Sequence, residues 1–128
     1  MPLPLTALYG AILALIVVAL AINVTLHRAK LRVPLGDGGN PVMLRMIRTH
    51  ANAAEYVPLA IGLMLAYELN GGAHVALHVI GIALIAGRIL QSWNMWVTEV
   101  AKFGRISGQS LTWVSIIALA ALNIVRIA

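Results

Sequence analysis

From Pro4 to Leu26 the chain carries no charged side chain, and Thr6, Asn23 and Thr25 interrupt its apolar run. A helix of that length covers the ~30 Å hydrocarbon core of a bilayer at about 1.5 Å per residue. No water is present there to bond backbone N–H and C=O groups, so the segment must pair them internally, as a helix does. Three more stretches read the same way: Met43 to Leu69, about Val75 to Val97 with Arg88 and Gln91 as interruptions, and about Gln109 to Ile127. Only 10% of residues are charged, 61% are hydrophobic and the mean hydropathy is +0.92. A soluble domain carries roughly 25% charged residues, so the composition indicates an integral membrane protein. The expectation is one all-α domain over residues 1–128, an integral membrane four-helix bundle with helices at about 4–26, 43–69, 75–97 and 109–127. The sequence shows no internal repeat, low-complexity tract or second domain. Its start, MPLPLTALYG, has no basic residue before the apolar run, so a cleaved signal peptide is not expected.

Cysteine is absent, which excludes disulfides, thiolate nucleophiles and cysteine-bound metals. Any thiol chemistry must come from a substrate. A net charge of +5 would suit nucleic acid, but in a membrane chain such an excess reports topology, and no nucleic-acid partner is expected. Arg28, Lys30 and Arg32 precede the turn segment PLGDGGNP, Lys102 and Arg105 lie in the last polar segment, and Asn70-Gly71-Gly72 between them carries no Lys or Arg. The positive-inside rule then places both termini on the non-cytoplasmic side of the inner membrane. Trp93, Trp96 and Trp113 flank the last polar segment as an interfacial belt would.

The second span is the unusual one. Its first half carries Arg45, Arg48, His50, Asn52 and Glu55, and charges within a spanning segment mark a site lined by protein or water. At about 100° per residue, Arg45, Arg48, Asn52, Glu55 and Tyr56 share an arc roughly 100° wide, while His50 points nearly the opposite way. Such a face suits a ligand with carboxylates, which guanidinium forks bind in pairs. Plainer readings stand beside this one. Arg45 and Arg48 can snorkel to lipid phosphates. Glu55, about 10 Å deeper than Arg48, is at the depth expected for Arg88 on the oppositely directed third helix, so the two can form a structural ion pair. Tyr56 can serve as a packing aromatic. His74 and His78 are spaced i, i+4 but have no third ligand, so no metal is expected.

The run Arg48-x-His50-x-Asn52-x-x-Glu55-Tyr56-x-Pro58, preceded by Arg32-Val33 and Gly36-Asp37-Gly38-Gly39, resembles the MAPEG family of membrane-associated proteins in eicosanoid and glutathione metabolism. Gly87-Arg88 and Ser107-Gly108 resemble its bacterial, microsomal-glutathione-transferase-like members, and the likeness covers nearly the whole chain. It implies a homotrimer with glutathione bound between neighbouring subunits near the cytoplasmic face. Arg48, Asn52, Glu55 and Tyr56 match positions that hold glutathione in one subunit, with Arg88 in the third-helix motif. His50 and Arg28 match positions that reach the cofactor bound by the next subunit.

Active relatives stabilise the glutathione thiolate with an arginine near the start of the fourth helix. Lys102 and Arg105 are the candidates, and Arg105 is expected to act because it stays charged and lies closer to an anticipated helix start at Ser107. The resemblance thus implies a transferase or peroxidase acting on lipophilic electrophiles or lipid hydroperoxides. Enzymatic members commonly carry tyrosines one or two turns beyond the Arg88 position, whereas this chain reads Gln91-Ser92-Trp93-Asn94-Met95-Trp96. The alternative is a non-catalytic relative that binds lipid or a protein partner. A proton-coupled exporter of similar size would need an acid in its first helix, and none is present.

Overall fold

The computed structural model describes residues 3–98, 100 and 102–128. It contains four helices: α1 (Pro4–Leu31), α2 (Pro41–Leu69), α3 (His74–Val97) and α4 (Phe103–Ile127). Two boundaries differ from the sequence expectation. Helix α1 continues through the basic run His27–Leu31, since Ala, Lys, Arg and Leu are strong helix formers. It ends at Arg32, which adopts a left-handed conformation and returns its N–H to the Arg28 carbonyl. Helix α4 begins at Phe103, not at Ser107 or Gln109, so Arg105 sits in its first turn.

Helices α2 and α3 form the centre, each packing on the other three elements, while α1 and α4 flank them and, among the described residues, do not meet. Leu13, Met64, Leu77, Leu84 and Leu119 are fully enclosed at the middle of this diamond. Helices α1, α3 and α4 are long and apolar enough to cross a membrane. Helix α2 falls short by composition because its first half carries the charged motif, and it packs against the other three. The result is an all-α membrane bundle. Helix α2 runs unbroken through Pro58.

Between lipid-exposed helices there is little hydrophobic drive, so close approach and hydrogen bonds must hold them. The α3–α4 crossing depends on two glycines. A Cβ on Gly108 would lie 2.6 Å from the Gly87 carbonyl oxygen, and one on Gly87 would lie 2.9 Å from the Gly108 carbonyl oxygen. No side chain fits at either position without separating the helices. The two dipeptides Gly87-Arg88 and Ser107-Gly108, distant in sequence, therefore meet at one contact.

At the end that carries loop two, the α2–α3 connection at residues 70–73, hydrogen bonds substitute for helix caps. Leu3 cannot cap α1, and the Glu68 carboxylate, from the far end of α2, accepts from Leu5 N (3.1 Å) and Thr6 N (2.7 Å) instead. The charge lies at the positive end of the α1 dipole, where it is favoured. Arg126 does the converse at the C-terminus of α2, donating to the carbonyls of Asn70 (2.8 Å) and Gly71 (2.7 Å). This cation lies beside loop two, so the basic bias of the other end is strong but not absolute. Tyr9 Oη and His78 Nδ1 (2.7 Å) join α1 to α3, and Asn123 donates to the Leu63 carbonyl (3.0 Å) to join α4 to α2.

At the opposite end, Asn40 caps α2 by accepting from Val42 N and Met43 N, with Pro41 in the first helical position. Gly36, Gly38 and Gly39 supply the positive φ angles that turn loop one, the α1–α2 connection at residues 32–40. We predict that Glu68→Ala, which leaves two α1 amides without an acceptor, destabilises the bundle by about 1–3 kcal/mol. The check is a lowered unfolding midpoint in a denaturing-detergent titration.

Candidate functional site

The arc of polar residues on α2 opens into a cavity of about 340 Å³ between α2, α3 and α4. That volume lies within the range of small-ligand sites, roughly 300–1,000 Å³. Arg45, Arg48, Asn52 and Tyr56 line it from α2, Gln91 and Met95 from α3, and Arg105, Gln109 and Trp113 from α4. Three guanidinium groups thus face one hollow, and among the described residues no carboxylate lines it. A compact anion bearing more than one acidic group is the ligand such a wall favours.

Arg88 stands behind this wall and does not line it. It is 0% exposed, and all three nitrogens of its guanidinium donate to neutral groups. Nη1 donates to Asn52 Oδ1 (2.6 Å), Nε and Nη2 donate to Thr112 Oγ1 (3.0 and 2.8 Å), and Nη2 donates to Gln109 Oε1 (3.3 Å). The Tyr56 ring lies 6.0 Å from its central carbon, within cation–π range. One α3 side chain therefore fixes a lining residue on α2 and another on α4. The expected Glu55–Arg88 ion pair is not formed. Depth along the helices was matched, but Arg88 points toward α4, while Glu55 lies at the edge of the α2 arc and approaches Arg48 instead (3.8 Å). Both members of that pair are half-exposed.

The other predicted positions divide. Arg48, Asn52, Tyr56 and Arg105 come together around the cavity, and Arg45 joins them. Glu55, His50 and Lys102 are not among its lining residues. Lys102 is the N-cap residue of α4 and is exposed. His50 is half-buried on another face of α2, as its helical angle required. Arg28 donates to the carbonyls of Val33 (3.3 Å) and Gly36 (2.7 Å) and so fastens loop one to α1.

The sequence reading missed Gln109 and Thr112. The signal for Thr112 was its place with Gly108, Ser115 and Leu119 at helical spacing, which is the buried stripe of α4. In the sequence Gln91 stands out as a polar interruption of the third span and as part of the stretch without tyrosine. It is 2% exposed, its amide nitrogen donates to Met95 Sδ (3.0 Å), and its Oε1 has no partner among the described residues. A buried free acceptor in a cavity wall is available to a ligand donor. Gln109 likewise retains an unpartnered Nε2. A smaller hollow shares Arg105, Gln109 and Trp113 with the cavity and extends along α4 past Ile106 and Ser110.

Residues 6–125 match the MAPEG family. Among known proteins the chain is similar to the inner membrane protein YecN of Escherichia coli strain K12. The two are 36% identical over 119 residues, which covers 93% of this chain and 89% of the relative. YecN of Escherichia coli O6:H1 strain CFT073 matches with the same identity and coverage. We predict that Thr112→Val, which preserves shape while removing the acceptor of two Arg88 bonds, destabilises the protein by about 1–3 kcal/mol. It also releases the Asn52 and Gln109 side chains from their positions, so ligand affinity in the cavity falls with stability. Thermal unfolding and calorimetric titration of the same variant check both effects.

Proposed function

The chain belongs to the MAPEG family, and on that premise we propose that it is a glutathione-binding inner-membrane transferase or peroxidase acting on lipophilic electrophiles or lipid hydroperoxides. The observation that carries this reading is the convergence of Arg45, Arg48 and Arg105 with Asn52 and Tyr56 on one cavity. Glutathione has two carboxylates, an ammonium, amides and a thiol. Two of the arginines supply forks for the carboxylates, and the free Gln91 Oε1 together with nearby Glu55 offers acceptors for its donors. Arg88 holds Asn52 and Gln109 in place and is a positioning residue in this scheme.

When bound, glutathione supplies a thiolate for attack on an electrophilic carbon or on the O–O bond of a hydroperoxide. The protein's part is to keep that proton off. Arg105 is the cation placed for this task, because it lines the cavity and sits in the first turn of α4, where unpaired amides add positive potential. Lys102, one turn away and exposed, is assigned no contact. The adjoining hollow past Ile106 gives an apolar second substrate a route from lipid to Arg105. Helix α2 crosses the membrane with the other three, both termini are non-cytoplasmic, and the functional unit is a homotrimer. In that unit His50 and Arg28 face the cofactor of the neighbouring subunit. The non-catalytic alternative is favoured by one observation: Gln91 and Met95, not tyrosine, form the α3 wall.

Arg48→Ala is expected to weaken glutathione binding at least about tenfold in calorimetry, the loss of a charged hydrogen bond of a few kcal/mol. Arg105→Ala is expected to leave binding nearly intact and to raise the bound thiol's pKa by about one unit, read from thiolate ultraviolet absorbance across pH. Absence of thiolate in the wild type near neutral pH selects the non-catalytic reading. Unchanged affinity in folded Arg48→Ala protein removes the proposed site. For topology, reporter fusions at Gly72 and Ala128 are expected to be non-cytoplasmic, and cytoplasmic signals at both would reverse the orientation.

A further inference from the structure

A second hollow of about 340 Å³ lies on the other side of the α2–α3 pair, closed by α1 and not by α4. Helices α1 and α3 are pinned together near loop two by Tyr9, which bonds His78 and whose ring occupies the space a Cβ on Gly81 would need. Nearer loop one a groove opens between them. Ile16 and Leu20 form one wall, Ile89 and Trp93 the other, and Met46 the floor. The groove lies within the spanning parts of α1 and α3, where the surrounding solvent is hydrocarbon.

Its chemistry changes along its length. The deep part is apolar. One turn short of Trp96, Ser92 lines the groove, its hydroxyl buried and without a partner among the described residues. Helical serines ordinarily turn back on the preceding turn, as Ser107 does to the Phe103 carbonyl and Ser115 to the Leu111 carbonyl. Ser92 does not. On α1 the lining stripe Ile16, Leu20, Asn23 continues at helical spacing to His27 and Lys30, with Arg32 just beyond. Lys30 and Arg32 are exposed. From Ile16 to Asn23 is about 10 Å of axis, and from Asn23 to Lys30 about 10 Å more. An apolar trough, a hydroxyl donor and a pair of cations thus follow one another over the depth of one leaflet, about 15 Å of hydrocarbon plus headgroup.

We propose that this groove is a binding site for an anionic phospholipid of the leaflet on the loop-one side. One acyl chain lies between α1 and α3, an ester oxygen accepts from Ser92, and the phosphate rests against Lys30 and Arg32. The site is separate from the arginine-lined cavity, and the proposal does not depend on the activity assigned there.

Tryptophan fluorescence tests it, because Trp93 and Trp96 border the groove, are 63% and 55% exposed, and Trp113 is the third tryptophan of the chain. Protein carrying Trp113→Phe is reconstituted in phosphatidylcholine vesicles containing a minor fraction of dibrominated phosphatidylglycerol or, in parallel, dibrominated phosphatidylcholine. The expected result is stronger quenching by the anionic lipid, equivalent to about fivefold local enrichment for each cation engaged. Lys30→Ala with Arg32→Ala should abolish the excess. Ala19→Phe, at an exposed groove position, should abolish it too while general quenching persists. Equal quenching by both lipids, as a groove covered by a second subunit or one filled by any acyl chain would give, overturns the proposal. So does an excess that survives either variant.

Discussion

A guanidinium enclosed at the centre of a membrane bundle is the constraint around which the other features are arranged. Arg88 has no carboxylate partner among its hydrogen bonds, and its desolvation is offset by amide and hydroxyl oxygens from two other helices. Each of those acceptors must be at the correct height and rotation, so α2 and α4 are both registered against α3 by a single side chain. An isolated buried ion would be strongly unfavourable, and hydrogen bonds from each of its three nitrogens make it tolerable. The same bonds draw Asn52 and Gln109 into the cavity wall. Stability of the bundle and shape of the cavity therefore share one origin, and a substitution here cannot alter one without the other.

The Gly87–Gly108 contact makes that arrangement possible. Thr112 is one turn beyond Gly108 and Arg88 is the neighbour of Gly87, so the close crossing brings a hydroxyl within reach of the guanidinium. Larger residues would separate the backbones and lengthen the very bonds that neutralise the buried charge. Small residues and a large cation are thus two parts of one packing solution.

Much of this was legible in the residues. Hydropathy locates the centres of all four helices, and the angular spacing of Arg45, Arg48, Asn52 and Tyr56 puts them on one face, where they line one cavity. Boundaries were less legible where polarity and helicity diverge. His27–Leu31 and Phe103–Gly108 look like loop by charge and glycine, but their backbone bonds are made within helices that project beyond the hydrocarbon. The partner of Arg88 was misjudged for a different reason. Axial depth follows from counting residues, whereas rotation toward α4 depends on how tightly two glycines let helices approach. Glu68 was silent in the sequence because its partners are backbone amides more than 60 positions away.

The two ends of the bundle are unequally tied. Near loop two, Glu68, Arg126, Tyr9 and Asn123 cross-link all four helices, while toward loop one Arg88 ties α2 and α4 to α3, Asn23 reaches Met46 of α2, and Arg28 bonds only to the loop that follows its own helix. Both hollows lie on the loop-one side of the loop-two ties, one beside the Arg88 network and the other beside the Asn23–Met46 bond. A lipophilic molecule reaching either of them sideways comes from the leaflet on the loop-one side. A lipophilic molecule dissolved in the opposite leaflet must first traverse the bilayer, so membrane sidedness itself becomes a filter on what this protein encounters.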